Sequence, residues 1–436
     1  MSHTPPMVSG AKPVIGHLAE FFAAPERLIR RGHAEHGGLF SLDLPGRRAV
    51  VLLGQERNRF FYGETDKRLS IRVAYPFFDR MFAPEFYVFA DPEEYRRQRG
   101  IVLSRFQGAQ LDGYVAAIEC ETAKFIAQLG DQGEFNLVDE LGPLVLRIAA
   151  RCFLGPDFAS RMDRDFFAEF RRFSGGMGFF LPDWLPLPRL IRSRRSRDRL
   201  RRAIGDMLRD RRRNPVRPAD FLQTLAEARY ENGARVPDLV LVNLVLLLTW
   251  AGHETTTGHI AWAVADLLGS PDDLRRARED TKHLDRCLHE TERLHPVAYI
   301  QARQAVEDFE MDGFTVPNGT LVFSAPCVSH RLPEEHERPD DYWPDRFEAG
   351  RRERAKLIGF GGGLHRCTGV HFAHLEMRIV ISRLLSHFDL ELLDGTPRPV
   401  RGMKTKWPAS PCRVGYRSRK ALSTVEPASI LLRQLA

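Results

Sequence analysis

The feature that most constrains this chain is one unbroken helical pattern from Asp238 to Leu268, with Pro237 ahead of it and Gly269-Ser270-Pro271 stopping it. Its apolar surface is too wide for one buried face, so it must be a central helix wrapped by other elements. Its most apolar stretch, Leu239 to Gly252, is interrupted by Asn243 and Thr249 and is too short and polar to span a bilayer. In its middle lies Ala251-Gly252-His253-Glu254-Thr255-Thr256. An acid and two hydroxyls inside a buried helix are costly unless used. Thr255 stands four residues after Ala251, so its hydroxyl can donate to the Ala251 carbonyl and open the helix locally. The resulting groove can hold oxygen and water, and Glu254 can relay protons to it. Position 257 is Thr, so His253-Glu254 is not part of an HExxH zinc site.

With 436 residues the chain can bury a cofactor-sized cavity. The pattern predicts a helix over 25–35, a hairpin over 39–53 turning at Pro45-Gly46, and nearly continuous helices from Asp91 to about Leu274. Pro326, Pro333, Pro339 and Pro344 mark a coil region, a helix returns from Cys367 to about Phe388, and short strands close the chain. This is one mixed domain, mainly α with small β-sheets. Hydrophobic residues at 43% and charged residues at 28% exclude a disordered chain. The six cysteines are scattered without a CxxC pair, which suits a reducing cytosol, and the N-terminus lacks a signal-peptide pattern. A soluble, cytoplasmic protein with no membrane span is expected. The net charge of +7 comes with abundant arginine, and no nucleic-acid partner is expected. The arginine-packed stretch 192–213 follows an apolar, proline-broken loop, 179–188. The solvated face of an amphipathic helix is favoured there over a lipid-facing lip.

The second strong signal is Phe360-Gly-Gly-Gly-Leu-His-Arg-Cys-Thr-Gly369. The glycines, Gly363 among them, permit backbone conformations that gather amide hydrogens near one point. A helix-forming segment follows Cys367, so its sulfur is expected at a helix start, where dipole and free amides favour thiolate. A buried thiolate with one open side is what a heme iron needs as its proximal ligand, and Phe360 would shield it. Elsewhere, Glu290 and Arg293 lie one helical turn apart on one face. His371 and His374 share a helix face without an evident third ligand and are expected to be surface histidines.

With these motifs the chain resembles the cytochrome P-450 superfamily, from the proline-rich start to about Gly415. The resemblance implies a single large domain with the long helix over the heme, a catalytic domain at 1–416 and a C-terminal extension at 417–436. It implies heme b as cofactor, Cys367 as the axial iron ligand, and O2 as co-substrate handled by Glu254 and Thr255 beside Ala251. Glu290 and Arg293 would be joined by Arg346 of Trp343-Pro-Asp-Arg-Phe347 in a structural network. Family positions for the heme propionates map to Arg99, Arg303 and His365; Tyr95 stands where many members carry His, Gln or Trp. Ala74-Tyr-Pro-Phe-Phe78 and Met81-Phe82 are similar to the bacterial sterol demethylase branch. That likeness places Tyr75 near a propionate, with Phe77, Phe82, Ala251 and Val297 lining the substrate pocket. The chain departs from the branch at Glu254, where a histidine is usual.

The implied activity is heme-thiolate monooxygenation of a lipophilic small molecule. The chain carries no flavin or nicotinamide motif, so electrons would come from a ferredoxin or flavodoxin type partner with its reductase. The rival readings are a heme-thiolate peroxygenase or isomerase, and a non-catalytic heme-binding protein. The intact Glu254-Thr255 pair favours monooxygenation, because peroxide users need no acid–alcohol relay.

Overall fold

The computed structural model describes residues 4–106, 108–155, 164–176, 187–217, 219–349, 351–402 and 405–419. The central helix spans Asp238–Leu268, with Pro237 and Gly269 as its caps. Most of its apolar residues are buried, and they lie on every side; Leu239 in the first turn is exposed. The helix Leu137–Leu154 packs along it, and the helices Pro188–Arg213, Thr281–Leu294 and Val370–His387 also touch it. By length and hydropathy alone this helix could cross a membrane; here the packing of four other helices accounts for its apolar surface.

The sequence hairpin forms as read. Strands β1 (Leu39–Leu44) and β2 (Arg47–Leu52) pair antiparallel, from Leu39 opposite Leu52 to Leu44 opposite Arg47. They join β3 (Leu69–Ser70), β5 (Gln301–Ala305) and β8 (Leu321–Ser324) in a sheet of order β1-β2-β8-β5-β3. Because β2 and β8 run parallel, a long crossover must join them. Most of the helical body is that crossover. A second sheet joins β4 (Gln132–Asn136), β10 (Arg413–Ser418) and β9 (Phe388–Leu392) in the order β4-β10-β9, and β6 (Phe309–Met311) pairs with β7 (Phe314–Val316) as a separate hairpin.

Strand β10 carries pairing to Ser418, opposite Phe388. The fold thus runs two residues past the boundary expected at 416; residues 420–436 of the expected extension lie outside the described residues. So do residues 179–186 of the apolar loop. The arginine-rich stretch is the amphipathic helix Pro188–Arg213, which buries Leu190, Leu200, Ile204 and Leu208. Several of its arginines pair outward, for example Arg199 with Glu169 at 2.8 Å, while Arg201 turns inward to Asn243 Oδ1 at 3.1 Å and Arg211 is buried.

Candidate active site

The cysteine loop is shaped by its glycines and by one early residue. Gly361 and Gly363 hold φ of +73° and +61°, a region L side chains rarely enter. A Cβ on Gly363 would lie 2.7 Å from the Tyr62 carbonyl oxygen, and one on Gly362 would lie 2.8 Å from the Tyr62 ring. The loop can therefore press against Tyr62 only as glycine. The Cys367 amide donates to the Phe360 carbonyl at 2.8 Å, which fixes the loop. Gly369 is the N-cap of the Val370–His387 helix, so Cys367 stands just ahead of the first turn.

Cys367 is exposed at its own surface although protein encloses it at longer range, as befits a residue facing an internal cavity. Burial pushes its thiol up, and Glu292 adds to this; the Gly369 amide and Arg366 pull it down but do not prevail. The amide at the helix start does favour thiolate, as expected, but burial outweighs it. In this fold the thiolate calls for a cation at Sγ, which is the role an iron ligand requires.

On the central helix, Thr255 Oγ1 donates to the Ala251 carbonyl at 2.6 Å. The helix stays continuous through this point, so the hydroxyl is taken up by the helix rather than breaking it. Three carbonyls further the neighbourhood does change. The Glu254 carbonyl accepts from Trp407 Nε1 at 3.0 Å. The indole fits because a Cβ on Gly258 would lie 2.6 Å from Trp407 Cδ1 and 2.9 Å from Val297 Cγ1. Trp407 was not foreseen. A lone Trp beside Pro408 in coil carries no periodic signal, and its partner lies 153 positions away. One turn past Thr255, His259 stacks on Phe360 at 5.4 Å. That contact brings the cysteine loop onto the same helix that carries Ala251, Glu254 and Thr255. Phe360 therefore holds the loop by its carbonyl and meets the central helix by its ring.

The residues mapped to the propionates gather as a set. Tyr95 and His365 stack at 4.4 Å with nearly parallel rings, and Tyr95 donates to the Leu364 carbonyl. His365 Nε2 meets Asp66 Oδ2 at 2.6 Å, a partner the sequence did not suggest. Arg303 is buried; it donates to Thr65 Oγ1 at 3.0 Å and to the Ala302 carbonyl at 2.8 Å. Tyr75 accepts the Ala302 amide at 2.7 Å, and its hydroxyl is electrostatically coupled to Arg303. Arg99 Nε and His365 Nδ1 are buried with no partner. Buried polar atoms are nearly always paired, so orphaned nitrogens on a cationic cluster fit the carboxylates of a heme. Together with the cavity-facing Cys367, the residues present fit that cofactor.

Phe77 and Phe82 are both fully buried. They belong to a stack in which Phe78 lies 4.7 Å from Phe77, 5.7 Å from Phe82 and 4.1 Å from Phe89. Phe82 and Phe78 each meet the Trp250 ring at 5.9 Å. Trp250, next to Ala251, has a buried indole nitrogen without a partner. Val297 lies apart from this group, against Gly258.

The ion network forms as read. Glu290 Oε1 accepts from Arg293 at 2.8 Å, from the Trp343 amide at 2.9 Å and from Arg346 at 3.1 Å. Arg293 also donates to the His330, Pro339 and Asp341 carbonyls. His374 overturns its reading as a surface histidine. Its ring packs 5.3 Å from Phe360 and 5.0 Å from His289, and burial holds its pKa far below the usual value. The sequence missed this because His289 belongs to another helix, with no local spacing to His374.

A family model described as Cytochrome P-450 matches residues 5–411. The sterol 14alpha-demethylase of Mycolicibacterium vanbaalenii is 31% identical over 95% of this chain and 98% of its own. The human lanosterol 14-alpha demethylase is 27% identical over 90% of this chain and 82% of its own. Among solved structures, a cyanobacterial protein with retinoic acid bound superposes with a TM-score of 0.85 at 25% identity, covering 96% of this chain and all of that one.

Proposed function

The chain belongs to the cytochrome P-450 family, and on that premise we propose that it hydroxylates a lipophilic, terpenoid- or steroid-sized small molecule. It is an oxidoreductase, a heme b monooxygenase that uses O2 and electrons from a redox partner. The observation that carries the reading is the Thr255 hydroxyl bonded to the Ala251 carbonyl at 2.6 Å, beside Glu254.

Heme b, ligated by Cys367, supplies the reduction of dioxygen and the insertion of one oxygen atom into the substrate. Arg99, Arg303, His365 and Tyr75 hold its carboxylates, and Phe360 and Gly363 keep the cysteine loop in shape. Thr255 Oγ1 gives up its bond to the Ala251 carbonyl to hand a proton toward the cavity. The Glu254 carboxyl restores that proton from the solvent side. The aromatic stack of Phe77, Phe78 and Phe82 excludes water and offers apolar faces to the substrate. Two relatives named as sterol demethylases and a neighbour solved with retinoic acid support an extended polycyclic or isoprenoid substrate. The acid at Glu254 supports hydroxylation by an acid–alcohol relay. We assign the electrons to a ferredoxin or flavodoxin type partner with its reductase, and the enzyme to the cytoplasm.

The test is Thr255→Ala, assayed with surrogate redox partners and a compound found by its shift of the Soret band. Substrate binding and reduction should survive, while product formed per electron consumed falls several-fold and hydrogen peroxide rises. Thr256 cannot substitute, since it points about 100° further round the helix. Wild-type coupling and rate in this variant would remove Thr255 and Glu254 from the mechanism.

A further inference from the structure

We propose that His289, Glu292 and His374 form a second metal site, selective for a zinc-class divalent cation, on the cysteine side of the molecule. One ligand atom from each residue lies within 4.8 Å of the others. Ligand atoms arranged tetrahedrally about a zinc ion, each about 2.1 Å from it, stand about 3.4 Å apart. Movement of each ligand atom by less than about 1 Å therefore closes the set. The backbone that carries it is rigid. His289 and Glu292 stand one turn apart on the Thr281–Leu294 helix, on either side of Glu290, whose carboxylate pairs with Arg293 of the same helix and ties it to Arg346 of the coil segment. His374 comes from the Val370–His387 helix.

The unused valence lies on His289, while the Glu292 carboxylate already takes the Gly359 and Phe360 amides. His289 Nδ1 is buried with no hydrogen-bond partner. The other candidate cluster, Asp273, His283 and Cys287, contrasts with it. There both imidazole nitrogens are already used, by Asp273 at 2.9 Å and by Arg286 at 3.0 Å. All three proposed ligands line one cavity of about 770 Å³, which leaves a fourth coordination position for water or an outside ligand.

Two imidazoles and a carboxylate are a zinc-type donor set, whereas calcium and magnesium demand oxygen donors. The surroundings sharpen this choice. Arg366 faces Glu292, and Arg354 and Arg378 face His289, so a cation held by charge alone would be repelled. Arg378 is largely neutralised by Asp285, which it grips at 2.8 and 2.9 Å. Glu292 also packs against the start of the cysteine loop: a Cβ on Gly359 would lie 2.8 Å from its side chain. An ion at this site would tie the two helices together directly behind the segment that carries Cys367.

The experiment is a calorimetric titration of heme-loaded protein with Zn2+, with bound zinc counted by elemental analysis after desalting. One zinc per chain is expected, and no heat above dilution with Ca2+. His289→Ala and His374→Ala should each weaken zinc at least about 100-fold, beyond the cost of losing an outer-sphere partner. His371→Ala is the control: His371 is exposed on the same helix and lines the same cavity, and its loss should leave affinity unchanged. The wild-type measurement needs no variant to fold. Absence of stoichiometric zinc, or equal loss in His371→Ala and His374→Ala, would overturn the site.

Discussion

Glu290 and Arg99 anchor two clusters of buried charge that are finished in opposite ways. Around Glu290, both oxygens are taken by Arg293 and Arg346, and each arginine spends further donors on carbonyls of the coil segment. Around Arg99, the cations are held by Thr65, Ala302 and Asp66, yet Arg99 Nε and His365 Nδ1 find nothing. A saturated network is scaffolding, because any added ligand would have to displace a partner. A cluster with open donors is poised for a ligand from outside the chain. The distinction separates residues that hold the fold from residues that hold the cofactor, although both clusters are built on buried or half-buried arginines.

The largest effect that would sharpen this contrast is on the saturated side. Arg293→Ala leaves buried Glu290 with only Arg346 and the Trp343 amide and orphans three carbonyls, a loss of about 3–5 kcal/mol for a broken buried pair. Heme-loaded protein should be recovered in very low yield; normal yield would break the comparison. On the open side, Arg99→Leu should leave the apoprotein as stable as the parent. It removes a charge-assisted bond of about 1.5–3 kcal/mol to the cofactor, so heme transfer to an acceptor protein should quicken by about 10–100-fold.

A pH measurement probes the saturated side without mutating its charges. His330 accepts the Ile358 amide at Nε2, 2.9 Å away, so that nitrogen must stay unprotonated. Burial, then nearby Arg293, lowers its pKa from 6.5 to about 3. Between these values the unfolded chain binds the extra proton. The stability contribution is thus complete above pH 6.5 and is lost as pH falls toward 3. By pH 5 the loss is about 2 kcal/mol. Urea unfolding of His330→Gln should show a pH slope shallower by one proton across this window. The smallest effect is at Trp407→Phe, which loses the bond to the Glu254 carbonyl, worth about 1 kcal/mol. Thermal unfolding should shift slightly, while Thr255-dependent coupling is retained.

What could be read in advance follows sequence distance. The bounds of the central helix, the Thr255–Ala251 bond and the Glu290–Arg293 pair are written in spacings of three or four residues and in flanking Pro and Gly. The glycine run before Cys367 announced its own strained backbone. What escaped were pairings between distant segments: Asp66 with His365 across 299 positions, Trp407 with Glu254, and His289 with His374. The thiol of Cys367 escaped for another reason. Its helix-start position argues for thiolate, but the balance is set by how much protein surrounds it, a property that no local spacing encodes.

The seat of Trp407 on the central helix also has a temporal side. Tyr62, which moulds the cysteine loop, leaves the ribosome early, and Cys367 follows some three hundred residues later. The indole that covers Gly258 and takes the Glu254 carbonyl is made 153 positions after that glutamate, which is about 8–30 s of translation at ~5–20 residues per second. Through that interval the segment that carries Glu254 and Gly258 waits for the indole that will cover it. A chain stalled before Trp407 therefore holds its cysteine loop but lacks the indole that covers Gly258 on the central helix.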